Sequence, residues 1–254
     1  MKHAKTWAKL HSEVIVDLTI EPNTPILIQQ SEDDNEINFV SYNNQHYIPG
    51  SSLKGVLRNH TENIFYHLLK EKEVVENLSV YDKLSVVDQL FGHETFKGKL
   101  VISDALFIGK PTIEERQHIA IDRFRGGAKD GALFSTKAIT QGTCKAKVIL
   151  KNPETWQIAW LCYCIRDLQD GRVRVGAKSA NGFGQVNIKE EDISLYIYDQ
   201  QLEQSWNRWL VQENSKNERK SKFDPFQFSL DDLGSMLVME WGKFLTPARQ
   251  GVNQ

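Results

Sequence analysis

Cysteine is scarce: the 254 residues hold three, Cys144, Cys162 and Cys164, an odd number with no CxxC pair among them. That argues against a disulfide framework and a paired-cysteine zinc site, and leaves reduced thiols in a cytoplasmic protein as the expectation. Long apolar runs are missing too. The opening MKHAKTWAKLHSE has no apolar signal core, and no later run approaches the length that crosses a bilayer, so neither export nor membrane insertion is expected. Net charge is nearly absent at −2, so any anionic partner has to be met by local patches and not by the chain as a whole. What the sequence does have is 40% hydrophobic residues, enough at this length to bury one sizeable core with extensions.

The charges are segregated. Residues 121–151 carry Arg123, Arg125, Lys129, Lys137, Lys145, Lys147 and Lys151 against only Asp122 and Asp130, while acids gather at Glu32, Asp33, Asp34 and Glu36. The basic stretch opens with IDRFRGGAKDGALFSTKAI, whose Gly126-Gly127 and Gly131 between apolar flanks read as a hairpin arm, around residues 120–140, reaching toward something anionic.

Upstream, EVIVDLTIE alternates as a half-buried strand and TPILIQQ adds a second apolar run. In YIPGSSLKGVLRNHTENIFYHLLK, Pro49-Gly50 break the chain, Ser51 or Ser52 caps, and Leu53, Val56 or Leu57, Ile64 and Leu68 repeat at helical spacing. Free N–H groups and the dipole at such a helix entrance suit a phosphate, and Lys54 and Arg58, four apart, extend that basic face. A short amphipathic segment, a turn at Gly92 and a strand ending near Phe107 follow. After the arm come the strand CKAKVILKN, a core helix of about ten residues in WQIAWLCYCIRDL, and the glycine-punctuated loop VRVGAKSANGFGQVNI, with Lys178 and Ser179, leading into a strand. The order predicts an α+β protein with a modified ferredoxin-like (RRM-like) core and a glycine-tipped β-hairpin arm.

Four segments, YIPGSSLKGVLR, GKLVISDAL, IDRFRGGAKDGALF and GAKSANGFGQV, in this order over roughly residues 10–190, resemble the signature of the RAMP superfamily. These are the repeat-associated proteins of CRISPR effector complexes in antiviral defence, and the combination most resembles the type III backbone subunit, in particular its type III-D-like branch. The resemblance implies partners: guide RNA (crRNA), complementary target RNA and other effector subunits, including copies of the chain itself. It also implies that Ser51, Ser52, Lys54 and Arg58 hold guide phosphates, joined by Lys178, Ser179 and Asn181. The arm becomes a thumb across guide and target, with Arg123, Arg125 and Lys129 on phosphates and Phe124 or Phe134 as a wedge against a base.

In active relatives an aspartate before the PGSSLKG helix supports metal-dependent cleavage of target RNA. Counting back from Pro49 selects Asp34, with Asp33 and Glu36 as further candidates, and Mg²⁺ as the cofactor if this loop is catalytic, Asp34 holding it. Two other functions compete. A guide-processing endoribonuclease of the same superfamily would use a general base such as His60, whose position on the apolar side of its helix favours packing instead. A plain RNA-recognition module matches NGFGQVNI in part, but Gln185 stands where an aromatic platform belongs.

Residues 1–194 thus read as the ferredoxin-like domain and 195–254 as a helical C-terminal extension. In that extension Leu202, Trp206, Trp209 and Leu210 form one stripe, and LDDLGSMLVMEWGKFL, with Trp241, forms a second amphipathic segment.

Overall fold

The computed structural model describes residues 9–28, 40–43, 45–68, 85–199, 202 and 225–228, of which residues 66–68, 129–134, 190–192 and 227–228 are described by their backbone only. Strand β1, Ser12–Pro22, lies at the centre. Its alternation is the cause: Val14, Val16, Leu18 and Ile20 are buried on one face, while Glu13, Ile15, Asp17 and Thr19 take the other.

Antiparallel neighbours flank it, β8 (Cys144–Lys151) on one side and β9 (Val186–Ile197) on the other. Beyond β8 come β4 (Leu100–Ile102) and β5 (Ala105–Phe107), two halves of one edge interrupted at Ser103-Asp104. Two helices cross between these strands. Helix α1 (Gly50–Leu68), with the short α2 (Val86–Phe91), connects β1 to β4, and α3 (Thr155–Gln169) connects β8 to β9. The result is a βαββαβ unit in the strand order β9-β1-β8-β4/β5, which is the expected ferredoxin-like core. The hairpin β2 (Ser41–Tyr42) and β3 (Gln45–Ile48) extends the sheet past β5.

Both helices bury against the same sheet face. The buried row of α1 is Leu53, Leu57, Thr61 and Phe65, with Ile64 only half-buried, so the stripe runs one residue away from the expected Ile64. Thr61 hides the pattern from a hydrophobicity reading. It is fully buried because its hydroxyl donates to the Leu57 carbonyl at 2.6 Å and accepts the Trp160 indole N–H at 3.1 Å. Trp160 in turn meets Phe91 of α2 edge-on at 5.5 Å, tying the three helices together. Helix α3 is longer than the expected ten residues. A capping box formed by Glu154 and Gln157 starts it early, and it runs through fifteen residues because Arg166 and Asp167 lie on its polar side.

The arm is β6 (Thr112–Ile121) paired with β7 (Ala128–Gln141) in a sheet of its own. In the run TPILIQQ, read as a strand-like stretch, the described residues 24–28 give a bridge, Ile26 with Ile139, that anchors the arm's base to the segment after β1. At the other edge of the main sheet β10 (Phe226–Phe228), which no sequence signal marked, pairs with β9. Trp206, Trp209, Leu210 and the segment around Trp241 lie outside the described residues. Among the described residues no helix is long and apolar enough to cross a membrane.

Candidate functional site

The entrance of α1 is built by close approach. A Cβ at Gly50 would come within 2.4 Å of the Ile102 carbonyl oxygen, so only glycine lets the helix start against the β4–β5 break. That break exposes Asp104, whose Oδ1 accepts the Gly50 N–H at 2.8 Å. The first amide of the predicted cradle is therefore already committed to a carboxylate. Ser51 is exposed and Ser52 half-buried just beyond it.

Lys54 and Arg58 share a helix face yet differ in their surroundings. Lys54 makes no ion pair with a described residue, and partial burial, with the neighbouring Arg58 charge, holds its ammonium below the usual lysine range. Arg58 is occupied. Its guanidinium donates to Glu62 at 2.9 Å, to the Gly92 carbonyl at 3.0 Å and to Asp88 at 2.9 Å, clamping α1 to the end of α2. His60 is occupied as well, its Nε2 lying 2.7 Å from Asp167 Oδ2 on α3.

The glycine-rich loop is pinched at its neck, where the Val175 N–H donates to the Gly184 carbonyl. Gly184, at φ +85°, leaves no room for a Cβ against Val175. Its tip is a single 3₁₀ turn, Ser179–Asn181, flanked by left-handed Lys178 and Gly182, and Ser179 and Asn181 are both exposed there. Lys178 reaches sideways. Its Nζ donates to Thr136 Oγ1 of β7 at 2.6 Å, joining the loop to the arm.

At the far end of the arm, Asp122 organises the turn by accepting the N–H groups of Phe124 and Arg125, and Gly126 closes it at φ +67°. Arg123, Phe124 and Arg125 all project into solvent, Phe124 completely so, and Ile119 and Ile121 are exposed beneath it. An exposed aromatic between two arginines is costly for a tip that touches nothing. The structure thus puts Arg123 and Arg125 at the tip, Lys178, Ser179 and Asn181 at the arm's base, and Ser51, Ser52 and Lys54 at the helix entrance. The side chains of Lys129 and Phe134 lie outside the described residues, as do Asp33, Asp34 and Glu36 entirely.

Two cations beside the loop escaped the sequence reading. Arg116 of β6 lies over the Phe183 ring, 5.7 Å from its centroid, and Arg174 donates to the Phe183 carbonyl at 3.4 Å. Arg116 falls in a strand of mixed charge, and nothing in its neighbours announces a partner so far along the chain.

The open sheet face has a different chemistry. Its two central strands present Glu13, Ile15, Asp17 and Thr19 from β1 and Lys145, Lys147, Ile149 and Lys151 from β8, with no aromatic between them. Charges there neutralise one another across strands: Lys147 pairs with Asp17 at 3.1 Å, Lys189 with Glu21 at 2.6 Å, and the Tyr198 hydroxyl donates to Glu13. The Lys189 ammonium, with the Thr143 hydroxyl, holds the Glu21 carboxyl below its usual range. RNA-recognition modules stack bases on aromatics of their two central strands, and β1 and β8 present none. The aromatics at the β9 side of this face are Tyr196, opposite Glu13, and Tyr198, stacked at 6.4 Å.

A family model described as the RAMP superfamily matches residues 19–187, a span that runs from within β1 into β9 and contains α1, the arm and the glycine-rich loop. No curated protein matches the chain.

Proposed function

Because the chain belongs to the RAMP superfamily, CRISPR-associated proteins that bind RNA, we propose that it is a guide-binding backbone subunit of a type III-like effector complex, acting in antiviral defence. The observation that carries this reading is the bond between Lys178 and Thr136. It joins the glycine-rich loop to the arm, so that two basic motifs far apart in sequence act as one surface. Ser51, Ser52 and Lys54 hold guide phosphates at the helix entrance, Ser179 and Asn181 add hydroxyl and amide groups, and Arg58 fixes the helix that presents them. Such contacts go to the backbone and not to base edges, which suits a subunit that has to accept any guide sequence.

Arg123, Arg125 and Lys129 would follow the strands along the arm, with Phe124 free at the tip to wedge against a base. In the acidic segment before α1, Asp34 with Asp33 and Glu36 would supply hard oxygen donors of the kind Mg²⁺ prefers, and cleavage of target RNA there is the proposed activity. A guide-processing role for His60 is disfavoured by its largely buried place between α1 and α3, and base stacking on the central strands β1 and β8 by their lack of aromatics.

The test is affinity for single-stranded RNAs of unrelated sequence over a salt series. The reading expects equal affinities that fall steeply with salt, and Lys54→Ala reducing that steepness for every sequence. A strong preference for one sequence, or binding indifferent to salt, would refute it.

A further inference from the structure

The end of β9 leaves two aromatic rings on the open face of the sheet, beyond the span that the family model matches. Tyr196 stands opposite Glu13 in the ladder with β1, on the face away from the helices. Tyr198, two residues on, stacks against it, with ring centroids 6.4 Å apart and planes within 14°. Neither ring joins the buried core, and Tyr198 is 51% exposed.

Three contacts hold Tyr198 in place without covering it. Its N–H donates to the His11 carbonyl at 2.8 Å, its hydroxyl donates to Glu13, and its ring rests against Tyr196. Partial burial, with the Glu13 carboxylate, holds the hydroxyl above the usual tyrosine range, so the proton that makes this bond stays on the phenol. An aromatic ring fixed at its edges and half exposed can receive a flat partner at little entropic cost.

We propose that Tyr196 and Tyr198 form a stacking platform for one unpaired nucleobase of bound RNA, at the edge of the sheet and off its central strands. This rests on the reading that the chain binds RNA, and it adds a base contact to a reading built on phosphates. The charge nearby favours a base over a phosphate, because Glu13 carries a carboxylate beside the rings and Asp199, paired with His11 at 2.8 Å, follows directly. The surroundings also favour a base over an apolar protein segment. Glu13 and Lys151 complete the rung of Tyr196, Ser194 precedes it on the same face, and Ile15, opposite Ser194, is only half-buried. Stacking tolerates such a polar rim, and every base has a π-face, so the platform binds without choosing a sequence. Glu13 is a positioning residue that acts through the Tyr198 hydroxyl.

The experiment uses the full chain, a labelled single-stranded RNA of mixed sequence and an abasic analogue of the same length, titrated at several salt concentrations. Tyr198→Ser should weaken binding of the RNA on the order of tenfold, the size of one lost base–aromatic stack, and leave the abasic analogue unchanged. Its salt slope should equal the parent's, since no phosphate contact is lost. Tyr198→Phe keeps the ring and should recover most of that affinity. Glu13→Ala should lose part of the same increment for the RNA alone, and Glu13→Gln, whose amide oxygen still accepts the hydroxyl, should restore it. In the parent chain, ultraviolet cross-linking with peptide mapping should place a nucleotide on Tyr196 or Tyr198, a readout that needs no variant. If Tyr198→Ser binds both probes as the parent does while Lys54→Ala lowers the salt slope, the platform is wrong, the rings are left to a protein interface, and the RNA-binding reading stands. An equal loss for the RNA and its abasic analogue would also overturn the platform, since a purely structural ring weakens both. If the parent chain binds neither probe, both readings fall.

Discussion

Gly50 donates its backbone N–H to the carboxylate of Asp104 at 2.8 Å, so the entrance of α1 is capped by the break between β4 and β5. Two of the segments that suggested the family, YIPGSSLKGVLR and GKLVISDAL, thereby meet. The cap also puts a negative charge beside the place where a phosphate is proposed to bind. Asp104→Asn, whose amide oxygen still accepts the Gly50 N–H, should therefore tighten RNA binding severalfold at low salt while lowering stability only by the lost interaction of its charge with the helix dipole, about 0.3–1 kcal/mol. Parallel titrations and thermal melts read the two effects, and weaker RNA binding by a folded variant would place the phosphate elsewhere.

Lys54 and Arg58 separate by experiment. Arg58→Ala should cost stability, about 1 kcal/mol because the clamp is solvent-screened, with little change in the salt slope of RNA binding. Lys54→Ala should do the reverse. Denaturant melts and salt titrations of both variants distinguish them, and an equal fall in slope would mean that Arg58 leaves its clamp for RNA.

The pH dependence follows from the lowered pKa of Lys54, which burial and then the Arg58 charge hold below the ordinary 10.5. The unfolded chain binds this proton more readily, so on this group's account folding stability rises with pH across the window between the lowered value and 10.5. RNA binding needs the proton, so its Lys54-dependent part is complete below that window and lost on rising through it. Affinity of the parent and of Lys54→Ala should converge on the alkaline side, before ordinary lysines deprotonate.

Replacing Arg123, Phe124 and Arg125 with serine should leave folding and guide binding intact, because the tip touches no core residue, while changing how complementary RNA is accommodated. Circular dichroism and target-binding assays read the two outcomes. A fall in thermal stability of several degrees would show that the tip packs on the body.

In an assembled complex with guide, Asp34→Ala should abolish Mg²⁺-dependent cutting of complementary RNA and leave target binding unchanged, since a carboxylate acting in the transition state adds little to ground-state affinity. Asp33 and Glu36 follow in turn if cutting persists. Cutting by the triple variant would assign the activity to another subunit.

Much of the core was legible because its signals are local. The alternation of Val14, Val16, Leu18 and Ile20 marks β1, and Pro49-Gly50 with the apolar spacing behind them marks α1. What escaped depends on tertiary partners. Thr61 looks like a surface residue until Trp160 supplies its hydrogen bond, and Phe226–Phe228 is too short to read as a strand without β9 beside it. The site divides the same way. Lys54 and the tip arginines stand in recognisable motifs, whereas the capture of Arg58 by Asp88 and Gly92, the Asp104 cap, and the meeting of Arg116 with Phe183 arise only when distant segments pack.

The most direct measurement is the identity of RNA that copurifies with the full chain from cells expressing it with its neighbouring subunits and a CRISPR array. The account predicts RNAs carrying repeat-derived sequence with every spacer of the array represented, because backbone contacts at Lys54, Lys178 and the arm do not read bases. Recovery of a complex without RNA, or with RNA lacking repeat sequence, would contradict it.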